Sequence, residues 1–142
     1  MKNNKHRFII FVVDDDPFYN SILSNHLKNL SKNPEYQSYD IEVKSYFTTE
    51  SCLEALDLNP DIVLQDYFLE ESGHPLRGLY LLNAIKEYCT KCKVILMSQR
   101  AEMLASIEFL QQGGAYDYIV KNTSSLLKIS NLVEDLLHKE LT

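Results

Sequence analysis

Along this chain, short unbroken apolar runs alternate with longer stretches in which apolar residues recur every three or four positions. Phe8–Val13 is six apolar residues in a row, the pattern of a strand buried on both faces. Phe18–Leu30 follows, with Ile22, Leu23, His26, Leu27 and Leu30 at helical spacing. Ser31 to Tyr39 is polar, contains Pro34 and reads as a loop. Ile41–Phe47 alternates apolar and polar positions, with Ile41, Val43 and Ser45 on one face, as an edge strand would. Thr49–Leu58 is a short helix capped by Thr48 or Thr49 and stopped by Pro60. Asp61–Gln65 brings another buried strand, Ile62-Val63-Leu64, which ends in Asp66. A loop from Tyr67 to Arg77 leads to a helix over Gly78–Tyr88. Val94–Met97 is a strand ending in Ser98, and Ala101–Gln112 is a helix ended by Gly113-Gly114. Tyr116–Val120 is a strand ending in Lys121, and Ser124–Lys139 is an amphipathic helix.

Five strands alternating with five helices predict an α/β fold, a parallel sheet with helices on both faces and right-handed crossovers. The 142 residues contain no repeat, linker or low-complexity tract, so one domain is expected over residues 1–142. In such sheets ligands bind beyond the carboxyl ends of the strands. That rim is where the polar residues collect: Asp14 and Asp15, then Asp66, then Ser98, then Lys121.

Three consecutive aspartates, Asp14, Asp15 and Asp16, end the first strand, followed by Pro17. Asp16 is placed to cap the next helix, with Pro17 in its first turn. Asp14 and Asp15 repel each other unless a cation joins them, and oxygen-only ligands favour a hard ion such as Mg²⁺. An acidic cluster, a central carboxylate, a hydroxyl and an ammonium suit phosphoryl transfer, in which a protein chiefly positions groups and neutralises charge. Asp66 would be the nucleophile and form an acyl phosphate. Asp15, Asp66 and a backbone carbonyl near Phe68 would hold Mg²⁺, with Asp14 in the same cluster. Lys121 and Ser98 would meet phosphoryl oxygens.

The formal net charge of −6 argues against non-specific nucleic-acid binding, which needs a basic face. No apolar run is long enough to cross a bilayer, and the run after Met1–Arg7 ends in aspartates, unlike a signal peptide; a cytoplasmic protein is expected. Cys89 and Cys92 form a C-x-x-C, but no further zinc ligands stand at suitable spacing, and the pair ends a helix where a redox motif would open one. They are read as structural.

Four segments resemble the receiver domains of two-component response regulators, the chemotaxis regulator being the simplest. They are Val12-Val13-Asp14-Asp15-Asp16-Pro17, Pro60-Asp61-Ile62-Val63-Leu64-Gln65-Asp66, Val94-Ile95-Leu96-Met97-Ser98 and Gly114-Ala115-Tyr116-Asp117-Tyr118-Ile119-Val120-Lys121. The resemblance spans nearly the whole chain. It implies a flavodoxin-like doubly wound sheet of order 2-1-3-4-5 and phosphorylation of Asp66 by a sensor histidine kinase or phosphotransfer protein. It also implies a switch made by Ser98 and Tyr118: Ser98 is drawn toward the phosphoryl group, and Tyr118 turns into the space vacated. The output face would comprise Ala101–Gln112, Tyr116–Val120 and Ser124–Lys139. It would serve a downstream protein or an output domain in a longer parent chain. Phosphorylation-dependent dimerisation through it is a further expectation that no particular residue here specifies. Direct nucleic-acid binding and membrane association are not expected. Nor is enzyme activity, beyond Mg²⁺-dependent self-phosphorylation from a donor and slow self-dephosphorylation.

Several residues depart from the family pattern. Glu70 stands where proline is usual, the expected glycine appears only at Gly78, and the loop Leu69–Arg77 looks lengthened, with Glu70, Glu71 and His74 making it polar. Such a loop can alter the choice of kinase. Asn122 replaces the proline after the lysine, which puts the usual cis peptide in doubt. Gln99 replaces a small residue after Ser98. Phe68 and Arg100 occupy the positions that tune self-dephosphorylation; Phe68 cannot orient a water, so a long-lived phosphorylated state is expected. Two rival readings are a haloacid-dehalogenase-like phosphatase, which shares D-x-D at Asp14-Asp15-Asp16, and a receiver-shaped interaction module that is never phosphorylated. The phosphatase reading finds Phe18 where Thr is expected and leaves Asp66 without a role.

Overall fold

A computed structural model describes residues 6–67, 77–99 and 114–141. It contains β1 (His6–Val13), α1 (Pro17–Lys28), β2 (Tyr39–Tyr46), α2 (Thr49–Glu54) and β3 (Ile62–Asp66). Then follow α3 (Arg77–Tyr88), β4 (Lys93–Ser98), β5 (Asp117–Val120) and α4 (Ser125–Leu141). The five strands form one parallel sheet of order β2-β1-β3-β4-β5, the expected arrangement. The expected helix Ala101–Gln112 lies outside the described residues, as do Phe68, Glu70, Glu71, His74 and Arg100.

Side chains of a strand point alternately to opposite faces, so the apolar run of β1 feeds two cores. Ile9, Phe11 and Val13 join Val63, Leu81, Leu82, Ile85 and Leu96 on the face covered by α2 and α3. Phe8, Ile10 and Val12 join Leu23, Leu27, Leu64, Met97, Ile129 and Val133 on the face covered by α1 and α4. Burial on both sides explains why β1, β3 and β4 read as continuous apolar runs.

Some element ends differ from those read in the sequence. α1 closes at Lys28 and continues as 3-10 turns over Asn29–Lys32 and Pro34–Tyr36, inside the segment read as a loop. Tyr36 there is fully buried and donates from its hydroxyl to Glu134 Oε1 (3.0 Å). The inner face of α1 is also rotated: Asn20, Leu23, Ser24 and Leu27 are buried, while Ile22 is 38% exposed. The rotation follows from hydrogen bonding, because Asn20 and Ser24 both reach polar groups at the sheet. α2 ends at Glu54 and tightens into a 3-10 turn over Leu56–Leu58, closed by Asn59 in the left-handed region (φ 54°). Thr48 is its N-cap, accepting from Ser51 N at 3.1 Å. Cys89 and Cys92 are joined as a disulfide, a cross-link not foreseen in the sequence; their spacing at the end of α3 leaves the Cα atoms 5.6 Å apart, inside the usual range. No peptide bond among the described residues is cis, so Asn122 follows Lys121 in trans.

Candidate functional site

The carboxyl rim of the sheet is assembled by backbone pairing. Asp14 N donates to Tyr46 O (3.0 Å), fixing the end of β1 against β2. Tyr67 N donates to Met97 O (2.8 Å), and Lys121 N to Ser98 O (2.8 Å), fixing β3 to β4 and the β5 exit to β4. The strand ends that carry Asp14, Asp66, Ser98 and Lys121 are thereby lined up along one rim, and the side chains of Asp14, Asp66 and Lys121 meet there. Asp14, Asp66 and Ser98 are buried and Asp15 is half-buried.

Three features start α1 where the rim needs it. Asp16 is the N-cap, accepting from Phe18 N (3.0 Å) and Tyr19 N (3.4 Å), and Pro17 fills the first turn, as the sequence implied. Asp14 Oδ1 accepts from Asp16 N (2.9 Å), which fixes one oxygen of that carboxylate. Asn20, one turn in, donates from Nδ2 to both Asp14 O (3.0 Å) and Tyr46 O (3.1 Å).

The Lys121 ammonium sits at the centre. It donates to Asp66 Oδ2 at 3.1 Å and lies 2.6 Å from Asp14 Oδ2 as an ion pair. The enclosed Asp14 Oδ2 thus has the ammonium as its partner, while Asp14 Oδ1 is held by Asp16 N. Burial pushes the Asp14 carboxyl above its ordinary value, and the neighbouring ammonium opposes that only in part. Burial alone would pull the Lys121 ammonium down, but the charges of Asp66 and Asp14 outweigh it and hold the group above its usual range. Lys121 therefore stays protonated. A cation beside Asp14 would reverse the push on its carboxyl.

One carboxylate oxygen from each of Asp14, Asp15 and Asp66 lies within 4.8 Å of the others. Three converging carboxylates, all hard oxygen donors, fit a divalent cation of the Mg²⁺ type. The Phe68 carbonyl, expected to complete such a site, lies outside the described residues. Tyr118 is half-buried on β5, packs against the α3-side core, and donates from its backbone N–H to Asp117 Oδ1 (2.7 Å).

Three residues at the site were not foreseen. Asn20 is one, and its signal was a polar residue on the inner side of a helix's first turn. Tyr19 is the second: its ring centroid is 4.5 Å from Lys121 Nζ. Gly78 is the third, known in the sequence only as a displaced glycine. A Cβ there would overlap the Tyr67 carbonyl, and the Gly78 carbonyl accepts from Gln65 Nε2 at 2.7 Å. The residues beside Asp66 thus rest directly on the start of α3, which only glycine permits.

An open parallel α/β sheet with an acidic cluster and one ammonium at its carboxyl rim defines a class of phosphoryl-handling domain. Residues 10–133 match the response regulator receiver domain, and this chain belongs to that family. The regulatory protein AtoC of Escherichia coli is 35% identical over 65 residues, which are 46% of this chain and 13% of that longer protein. The response regulator TrrA of Thermotoga maritima, solved in complex with Mg²⁺ and BeF, superposes with a TM-score of 0.70 at 21% identity. That alignment covers 91% of this chain and 98% of TrrA. The receiver domain of NtrX from Brucella abortus gives 0.66 at 26% identity, covering 86% and 94%. Receiver domains are phosphoacceptors, and the pocket of Asp14, Asp15 and Asp66 is the type of site at which they take up the phosphoryl group. The phosphatase reading is thereby set aside. No helix among the described residues is long and apolar enough to cross a membrane.

Proposed function

We propose that Asp66 accepts a phosphoryl group from a phosphohistidine on a sensor histidine kinase or phosphotransfer protein. The observation that carries this reading is the Lys121 ammonium standing 3.1 Å from Asp66 and 2.6 Å from Asp14, one cation shared between the ends of two strands. An Asp66 oxygen attacks phosphorus, and the bond from phosphorus to the donor nitrogen breaks. That electron pair leaves on the imidazole, which ends neutral after taking up a proton. Lys121, held protonated, balances charge on one phosphoryl oxygen, and the Ser98 hydroxyl donates to another. Asp14, Asp15 and Asp66 would hold Mg²⁺, which when bound offsets the negative charge of the carboxylates and the phosphoryl oxygens.

Movement of Ser98 toward the phosphoryl group then leaves room for Tyr118 to turn inward. This alters the surface read by a downstream protein or an output domain. Phe68 offers no group to steer water, so the acyl phosphate persists. The reading places the chain in the cytoplasm, where phosphohistidine donors are formed.

The test is incubation with phosphoramidate and Mg²⁺, followed by intact-protein mass spectrometry. The wild type gains one phosphoryl group and Asp66→Asn gains none. Absence of any gain in the wild type would favour an interaction module that is never phosphorylated.

A further inference from the structure

The Lys121 ammonium faces more than carboxylates. The ring of Tyr19, in the first turn of α1, lies against it with its centroid 4.5 Å from Nζ, well inside cation–π range. The ring's own position is set by a short hydrogen-bonded chain. Ser125 Oγ has one proton and donates it to Asn122 O at 2.9 Å. In its 2.9 Å contact with Tyr19, Ser125 must therefore accept, and the Tyr19 hydroxyl donates. Ser125 is buried, and its backbone N–H also reaches Asn122 O (3.1 Å), so this acceptor is part of a closed turn. Asn122 is the residue directly after Lys121, and its side chain accepts from Ser124 N (3.0 Å) and Ser124 Oγ (2.9 Å). The contacts form a circuit: Tyr19 hydroxyl to Ser125, Ser125 to Asn122, along one peptide to Lys121, and from its ammonium back to the Tyr19 ring.

We infer that Tyr19 is a positioning residue for Lys121: its ring face holds the ammonium over the carboxylate pocket, and its hydroxyl, clasped by Ser125, registers that ring against the turn that carries the lysine. Lysine has a long flexible stem, and ordering it beforehand lowers the cost of placing its charge in the transition state. The circuit also ties the first turn of α1 to the first turn of α4. Here the trans Lys121–Asn122 peptide is held by side-chain and backbone hydrogen bonds of the Asn122 turn.

The inference rests on the proposed role of Lys121, so the experiment has two arms. In the first, initial rates of phosphorylation by phosphoramidate with Mg²⁺ are compared. Tyr19→Phe keeps the ring and loses the clasp, and a slowing of about threefold is expected, as for one neutral hydrogen bond. Ser125→Ala should slow the reaction equally, and the double variant no further. Tyr19→Leu loses ring and clasp together, and about tenfold is expected, within the range of a partly desolvated cation–π contact. In a Lys121→Ala background Tyr19→Leu should have no further effect. A rate for Tyr19→Leu equal to wild type, or the same slowing in the Lys121→Ala background, overturns the inference.

The second arm needs no phosphorylation. The Lys121 ammonium protons are followed by ¹⁵N NMR for slow exchange with water, in wild type, Tyr19→Phe and Tyr19→Leu. Wild type should show the slow signal, Tyr19→Phe should weaken it, and Tyr19→Leu should abolish it. An unchanged signal in Tyr19→Leu overturns the inference whatever the rates. A wild type that is never phosphorylated defeats the functional reading and leaves this arm to decide.

Discussion

The Lys121 ammonium donates to Asp66 Oδ2 at 3.1 Å while lying 2.6 Å from Asp14 Oδ2, so a single positive charge separates two buried carboxylates. Replacing it leaves like charges facing each other. Lys121→Met is expected to lower folding stability by about 3 kcal/mol without Mg²⁺, the usual cost when one member of a buried ion pair is removed. Mg²⁺ should then stabilise the variant more than the wild type, because no ammonium competes for the same oxygens. Urea unfolding with and without the metal checks both statements.

The converse holds for the acidic side. At Mg²⁺ one-hundredfold above its dissociation constant, the wild type should gain about 2.7 kcal/mol of stability by mass action. Asp15→Asn removes a half-buried charge from the cluster and should lose most of that gain while remaining folded in metal-free buffer. Thermal unfolding across a Mg²⁺ titration is the measurement. An equal gain in both proteins would remove Asp15 from the cation site.

Gly78 sits against the backbone that follows Asp66, and a methyl group there would strike the Tyr67 carbonyl. Gly78→Ala should therefore cost about 2 kcal/mol or more, as overpacking of a site that cannot relax does. Phosphorylation of Asp66 should slow with it, because its neighbour must shift. Chemical denaturation paired with a phosphoramidate time course would show both.

Burial raises the Cys52 thiol to about 12, from an ordinary 9.0. Burial, and then the Glu134 carboxylate, raise the Tyr36 phenol well above its ordinary 10.0. Both groups stay neutral when folded and ionise sooner when unfolded. The Cys52 contribution is full below 9.0 and is lost as pH rises toward about 12, and that of Tyr36 is full below 10.0 and is lost at higher pH still. Unfolding midpoints should fall across that alkaline window, and less steeply in Cys52→Ala. In the folded protein the Cys52 thiol should also resist alkylation at neutral pH and react on unfolding.

The strands themselves and the rim residues at their ends, Asp14, Asp15, Asp66, Ser98 and Lys121, could be read from the sequence, because a strand buried on two faces is an unbroken apolar run whose end is marked by its first polar residue; their order across the sheet came only from the family resemblance. Helix faces were less legible. Apolar spacing put Ile22 inside α1, yet Asn20 and Ser24 take the inner positions, since Asn20 satisfies Asp14 O and Tyr46 O and Ser24 meets Ser45. Spacing counts apolar residues and is blind to such partners. Tyr19 escaped for a related reason: its hydroxyl partner, Ser125, is 106 positions away, and only the folded sheet brings the two turns together. Gly78 was visible as a departure, but its cause is a backbone contact that no side-chain pattern records.

The outer strand β2 has a further consequence. It pairs with β1 along eight residues and carries Asp40, Glu42 and Lys44 at alternate positions. Edge strands offer open backbone groups to any passing extended chain, and a row of charges there makes such pairing costly. That border of the molecule is thus guarded against runaway strand-to-strand stacking.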